Sequence, residues 1–374
     1  MEDVEVIENE GFEENRVEES PVPYDENEDY LLEVKHLKVY FDVLGGQVKA
    51  VDDVSFALKP GETLGIVGES GCGKTTTAFT ITRLLPSNGR IVDGYVKYKG
   101  KIIGEKEPEI TGLFKDRKRR KLYREKEAMM APIRWKEISM IFQSAMNAFN
   151  PVHRIGDQIV EAILAHEDVT KEEAMERAKE LFKLVGIPPG RVTGFPHEFS
   201  GGMRQRAMIA MALACNPSLL IADEPTTALD VIMQDRILAE IKRLQKKFGI
   251  AMIIITHDVS VVAETADKML VMYAGKMMEY GDIGELFHHP AHPYTIGLLG
   301  SFPSIHGEKK KLKSIPGSPP DLVNPPSGCR FHPRCKYAKP ICMEETPPLI
   351  EVSPNHWAAC HFAREIYSGE LKEE

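Results

Sequence analysis

The run TLGIVGESGCGKTTT (63–77) sets Gly68, four residues, Gly73, Lys74 and Thr75 between an apolar, β-prone stretch and a helix-compatible one. Strand, glycine loop and helix, in that order, are what a phosphate cradle needs. Glycines let the chain turn so that successive backbone N–H groups, with the positive end of the helix dipole, surround a β-phosphate. Gly68, Glu69, Ser70, Gly71, Cys72 and Gly73, followed by Thr76 in the helix, would line that anion. Lys74 would reach the β- and γ-oxygens, and Thr75 would supply a hydroxyl to Mg²⁺. Cys72 occupies a variable loop position and reads as a tolerated small residue, not a reactive thiol.

Two more apolar runs end in residues suited to the same chemistry. SLLIADEP (218–225) delivers Asp223 and Glu224 at a strand tip, the first to hold Mg²⁺ through water, the second to orient or deprotonate an attacking water. AMIIITHD (251–258) ends in His257. Three strand ends carrying Lys/Thr, Asp/Glu and His would converge on one edge of a doubly wound α/β sheet, where ligands bind. Far along the chain, FSGGMRQR (199–206) leads a second glycine-rich turn into a helix, another phosphate-binding geometry.

As a set, GESGCGKT, Gln143 in MIFQSAMNAFNP, FSGGMRQR, LLIADEP, TALD (227–230) and ITHD resemble the ATPase subunit of an ABC transporter over residues 31–285. The resemblance implies an α/β P-loop NTPase fold, an ABC cassette with a RecA-like core, an antiparallel β subdomain and a helical subdomain at about residues 145–197. It implies that Ser200, Gly201 and Gly202 close over the γ-phosphate of ATP held by a second subunit. A P-loop and a helix N-terminus can sandwich one ATP in this way only if two chains face each other reciprocally. Asp230 would run along that interface and couple the two sites. Gln143 would reach Mg²⁺ and the water, so that Thr75, Gln143 and Asp223 serve the metal while Glu224, His257, Gln143 and Lys74 serve catalysis. The adenine-stacking aromatic maps to Phe41 in LKVYF, with Tyr40 the alternative, and strand alternation allows only one of them to serve. Phe199 stands where the family carries Leu, at a packing position.

Several segments must position these residues. Gly45-Gly46 between alternating runs signals a hairpin near the start. Thr170 with Glu173 forms a capping-box pattern, Ala174, Ala178, Leu181 and Val185 follow at helical spacing, and Gly186 marks a stop. KDRKRRKLYREK (115–126), within the basic insertion 105–134, lacks the interleaved aromatics of a nucleic-acid reader and is expected to be a solvated helix. Residues 1–30 hold thirteen acids against Arg16 alone, so the net charge of −9 hides about +3 elsewhere. Such a segment is expected to be a disordered tail, and residues 366–374 are read as a short C-terminal tail. The longest apolar run falls short of the roughly 20 residues that cross a membrane, and the acidic start lacks a signal-peptide layout, so the chain is expected to stay in the cytosol.

From residue 286 to 365, HPAHPYTIGLLGSFPS, SIPGSPPDL and the GCRFHPRC region resemble the C-terminal extension of ATPases serving oligopeptide and dipeptide importers. That resemblance implies peptide cargo, with oligosaccharide open. It also implies a second related ATPase subunit, two transmembrane permease subunits, an extracytoplasmic binding protein, and a place on the cytoplasmic face of the membrane. No nucleic acid is expected. The competing reading is a soluble ABC-type ATPase acting on nucleic acid or cluster assembly; such proteins carry either long coiled-coil separations or two cassettes, which this sequence lacks. Cys329, Cys335, Cys342 and Cys360 crowd this small Cys-rich extension, with 5, 6 and 17 residues between them. Disulfides are disfavoured in a reducing cytosol. Without a C-x2-C knuckle, four thiolates suit a [4Fe–4S] cluster, with Zn²⁺ as the alternative. The family resemblance also implies such a cluster.

Overall fold

Two sheets meet at the glycine loop. This computed structural model describes residues 21–109, 115–143, 148–226, 231–301 and 315–371. The first sheet is antiparallel, made of β1 (Leu32–Val43), β2 (Gly46–Leu58), β4 (Gly89–Tyr98) and β5 (Lys101–Glu105), in the order β2-β1-β4-β5. Val43 pairs with Gly46 at the β1–β2 hairpin, and Gly45 supplies the positive φ of 97° that the tight turn demands.

The second sheet contains β3 (Thr63–Val67), β6 (Ile138–Ile141), β7 (Leu219–Asp223), β8 (Ala251–Thr256), β9 (Lys268–Tyr273), β10 (Lys276–Asp282), β11 (Ile350–Ser353) and β12 (His356–Ala358). Their order is β11-β12-β10-β9-β3-β8-β7-β6, and β6, β7, β8, β3 and β9 run parallel. β3, β7 and β8 are buried at every residue, as strands covered on both faces must be. Their apolar runs therefore show no alternation. α1 (Lys74–Ile81) leaves β3 through the glycine loop, and α7 (Val259–Thr265) follows β8.

A helical layer consists of α3 (Ile155–His166), α4 (Lys171–Leu184), α5 (Gly201–Ala212) and α6 (Val231–Phe248). At the start of α4 the Thr170 hydroxyl accepts from the Glu173 N–H at 3.2 Å, and the Glu173 carboxylate accepts from the Thr170 N–H at 2.8 Å. Ala174, Ala178, Leu181 and Phe182 of this helix are buried, and Gly186, at φ 70°, ends the run just beyond it. Phe199 fills the packing role expected of it, edge-on to Phe182 at 6.2 Å. Because α5 packs on α3, α4 and β6, the layer continues past the residue 197 at which the sequence reading stops it. The basic insertion forms α2 (Lys115–Met130), largely exposed and moored by Lys126 to Glu107 at 2.6 Å.

The C-terminal region joins the cassette instead of hanging from it. It contains α8 (Ile283–His288), α9 (Pro293–Gly300), α10 (Pro340–Glu344) and α11 (Ala363–Tyr367), and its β11–β12 hairpin extends the large sheet beyond β10. One buried carboxylate fastens it: Glu279 of β10 accepts from the N–H groups of Ala291 (2.7 Å) and His292 (3.0 Å) and lies 2.7 Å from His356 Nε2. Ile366 is buried, so packing runs on past residue 365, where the sequence suggests a tail. At the other end, residues 21–30 also dock. Tyr24 and Tyr30 meet edge-on at 5.5 Å, and Glu26 and Glu28 pair with Lys35 and Lys59 at 2.6 Å each. Net charge masks the apolar area those two tyrosines contribute.

Phe182 is fully buried between α4 and the rest of the helical layer. Phe182→Ala is expected to cost about 3–5 kcal/mol of unfolding free energy, measured by urea denaturation; a loss below about 1 kcal/mol would mean the layer repacks without it.

Candidate active site

The loop between β3 and α1 takes positive φ at Gly68 (151°), Gly71 (80°) and Gly73 (104°). Space is as restrictive as conformation, because a Cβ on Gly68 would fall 2.1 Å from the Met272 carbonyl oxygen and one on Gly73 2.2 Å from that of Ala50. Lys74 is buried, and its ammonium donates to the carbonyls of Gly68 (2.7 Å) and Glu69 (2.9 Å). Its charge is thus held over the loop by bonds that phosphate oxygens can replace. Burial raises the Cys72 thiol pKa, against the opposing pull of Lys74, so this cysteine stays protonated and inert.

Asp223 ends β7 almost fully buried. Burial raises its carboxyl pKa and Glu224 adds to the effect, while a hydrogen bond with Thr75 and the charge of Lys74 pull it down. Its Oδ1 has no hydrogen-bond partner among the described residues. Glu224 sits at φ 46°, a left-handed conformation that costs a non-glycine residue roughly 1–2 kcal/mol. Its N–H donates to Ile255 O at 2.8 Å, so β8 holds the turn. The turned carboxylate accepts from Gln143 Nε2 at 2.7 Å and lies 3.3 Å from His257 Nδ1. Contacts thereby link Lys74, Thr75, Asp223, Glu224, Gln143 and His257 at one sheet edge.

Ser200 caps α5, its hydroxyl accepting from the Met203 N–H at 3.3 Å. Among the described residues no hydrogen bond joins Ser200, Gly201 or Gly202 to the loop 68–76. Asp230, with the rest of TALD, lies outside the described residues, as do residues 144–147 after Gln143. Tyr40 and Phe41 are spent differently. The Tyr40 hydroxyl donates to Asp52 at 2.7 Å, whereas the Phe41 ring lies over Gly89. Ser70 and Gly71 are exposed at the crest of the loop, and Thr76 is half-buried in α1. Sequence reasoning misses Gln205, a buried amide on α5 that donates to the Pro225 carbonyl and ties the Ser-Gly-Gly helix to the Asp-Glu turn. Flanked by Arg204 and Arg206, this glutamine reads in the sequence as one more polar surface residue.

A family model described as ABC transporter matches residues 51–227, and one described as oligopeptide/dipeptide transporter, C-terminal region, matches residues 278–342. The oligopeptide transport ATP-binding protein OppD of Escherichia coli is 46% identical, over 92% of this chain and 97% of that one. The chain belongs to the ABC transporter family of ATP-binding proteins. OppD of Bacillus subtilis is 50% identical over 87% of each chain, and the dipeptide transport ATP-binding protein DppD of Lactococcus lactis 48%, over 88% of this chain and 90% of that one. CbiO1 of Clostridium perfringens, part of an ABC transporter complex, aligns with a TM-score of 0.54 at 25% identity, covering 70% of this chain and 91% of that one. As an ABC ATPase the protein binds and hydrolyses ATP, and among the described residues no helix is long and apolar enough to cross a membrane.

In the C-terminal region of this ABC ATPase, Cys329, Cys335, Cys342 and Cys360 line one small cavity, beside His292, His332 and His361. All are unpaired thiols. Burial, and then mutual repulsion of the thiolates, pushes Cys335 up to about 11 and Cys360 up to about 12. Among the described residues no group of three or more His, Cys, Asp or Glu side chains is arranged to hold a metal ion. The thiols share a cavity without the ligating geometry of a cluster.

Gly73→Ala is expected to weaken ATP by at least about a hundredfold, since the Cβ meets backbone in a left-handed turn. Titration with a fluorescent ATP analogue reads the loss, and wild-type affinity would show that the loop can relax.

Proposed function

We propose that this chain is the ATP-hydrolysing subunit of an importer of oligopeptides and dipeptides, acting at the cytoplasmic face of the cell membrane. Its partners in this reading are a second related ATPase, two transmembrane permease subunits and an extracytoplasmic substrate-binding protein. The carrying observation is the joining of Lys74, Thr75, Asp223, Glu224, Gln143 and His257 at one sheet edge while Ser200 caps a helix that, among the described residues, has no hydrogen bond to that loop. An edge complete in catalytic groups but separate from its second anion-binding helix suits a head-to-tail pair of subunits. The cargo rests on relatives named for oligopeptide and dipeptide transport and on the C-terminal family match. Identity along nearly the whole chain weighs against a soluble ATPase working on nucleic acid.

The unpartnered buried Oδ1 of Asp223 beside Thr75 fits a divalent cation. Asp223, Thr75 and Gln143 would hold Mg²⁺, which when bound offsets charge on the phosphate oxygens. Lys74 exchanges its two loop carbonyls for β- and γ-oxygens. Glu224, braced by Gln143 and His257, orients the attacking water and takes its proton. Ser200, Gly201 and Gly202 donate to the γ-phosphate on the partner subunit, where the charge of the transition state grows. Phe41 stacks on adenine, since Tyr40 is engaged by Asp52.

Four free thiols on one cavity match a tetrathiolate group in number and kind, although the described side chains are not set at ligating geometry. We propose that on binding they would close on a [4Fe–4S] cluster, with Zn²⁺ as the alternative. Such a group would cross-link a proline-rich segment poor in apolar residues. Protein purified without oxygen is expected to carry about four irons per chain, and a colourless protein with one zinc and no iron after reconstitution would overturn the cluster.

Glu224→Gln is expected to cut turnover by about 10²–10⁴ while ATP and Mg²⁺ hold the subunits together as a dimer on size exclusion. Turnover at the wild-type rate would remove Glu224 from the mechanism. Wild-type ATPase activity per chain is expected to rise with protein concentration; full activity in dilute monomer would sink the two-subunit site.

A further inference from the structure

Two arginines lie between Cys329 and Cys335, and both reach out of the C-terminal region to grip the cassette. Arg330, nearly fully buried, pairs with Asp52 of β2 and donates to the Ala274 carbonyl. Arg334 reaches the glycine loop itself. Its Nη1 lies 2.6 Å from Glu69 Oε2 and its Nη2 3.0 Å from Glu69 Oε1, a bidentate pair in which the arginine side chain is only 6% exposed. The guanidinium is fixed in turn, because Nε donates to the Pro316 carbonyl at 2.6 Å and the group rests over the Tyr273 ring at 5.6 Å. From α9, the Tyr294 hydroxyl accepts from the Glu69 backbone N–H at 2.9 Å. Glu69 is thus held by its backbone and by its carboxylate, both from the C-terminal region.

The charge of Glu69 makes this more than a packing contact. A carboxylate in the loop that must receive a polyanionic triphosphate repels its ligand unless a cation offsets it, and a planar, pre-organised guanidinium in a bidentate geometry does so without moving. Attachment of the C-terminal region does not depend on the pair, since Arg330 with Asp52 and Glu279 with His356 already fasten it. We propose that Arg334 is a positioning residue for the nucleotide site, neutralising and anchoring Glu69 so that the loop N–H groups stay turned to the phosphates. This rests on reading Gly68–Thr75 as the ATP site.

The test uses the full chain and equilibrium titration with ATP and Mg²⁺, alongside thermal unfolding. Arg334→Gln is expected to weaken ATP about tenfold, the scale of a charged hydrogen-bonded contact, with Arg334→Lys intermediate. Adding Glu69→Gln to Arg334→Gln is expected to recover most of the loss, because the uncompensated charge is gone; a purely structural brace would show no such rescue. Wild-type affinity in Arg334→Gln, or a double variant as weak as the single, would overturn the proposal. Should Arg334→Gln fail to fold, Arg334→Lys and its combination with Glu69→Gln decide by the same criterion. Lys74→Ala in the same assay separates the two levels, since unchanged ATP binding there would remove the nucleotide-site reading itself.

Discussion

A loop that turns several backbone N–H groups toward one point must leave its carbonyls and Cα atoms crowded against whatever lies behind. Here that wall is the Ala50 carbonyl of β2 and the Met272 carbonyl of β9, which approach Gly73 and Gly68 too closely for any side chain. The Cys72 carbonyl meets the wall as an acceptor, taking the Gly275 N–H at 3.0 Å. Two sheets of different character therefore have to meet at this spot. The large sheet launches the loop from a central strand, and its neighbouring β9 together with β2 of the antiparallel sheet closes its back. Burial on both faces of β3 keeps the launch point rigid, which a preorganised anion site requires.

Whether a part of the site can be read from sequence follows from how local its physics is. The glycine loop is governed by rules that act within a dozen residues, so its form and flanks were visible in TLGIVGESGCGKTTT. The strand tips at Asp223, Glu224 and His257 were visible because a fully buried parallel strand is an uninterrupted apolar run with a polar end. Their mutual contacts needed only the topology of a doubly wound sheet. Arg334 and Glu69, 265 residues apart, follow no such rule, and an arginine between two cysteines looks like part of a cysteine loop and nothing else. Gln205 was hidden for the same reason, since its partner is a backbone carbonyl on a distant turn. Charge misled over residues 21–30, where Tyr24 and Tyr30 pack together and Glu26 and Glu28 find lysine partners. For the cysteines, sequence crowding was visible, whereas ligating geometry depends on loop paths that spacing does not determine.

The separation of Ser200 from the loop has its own physical cause. Helix α5 is anchored within the helical layer by burial of Ala207, Ile209 and Ala210, while Gln205 ties it to the turn after β7. Its N-terminus is consequently a rigid extension of the layer and of the Asp-Glu turn together. In the proposed two-subunit reading, Glu224 and the Ser200–Gly202 donors meant for the partner's γ-phosphate would sit on one connected element, joined through Pro225 and Gln205.

The C-terminal region brings the same economy to the back of the loop. Arg330 and Arg334 belong to the span whose ends are Cys329 and Cys335, and that span's shape determines where both guanidiniums point. Binding free energies are reciprocal, so if Arg334 favours the phosphate-ready loop, bound phosphate must in turn hold this span more firmly. The aromatic set of Tyr273, Tyr294 and Phe331, with ring centres 4.7 to 5.3 Å apart, lies between the cysteines and the loop and leaves little room for either to move alone. A segment too poor in apolar residues to fold by itself is thereby built into the nucleotide site, its order supplied by the cassette and its arginines supplied in return.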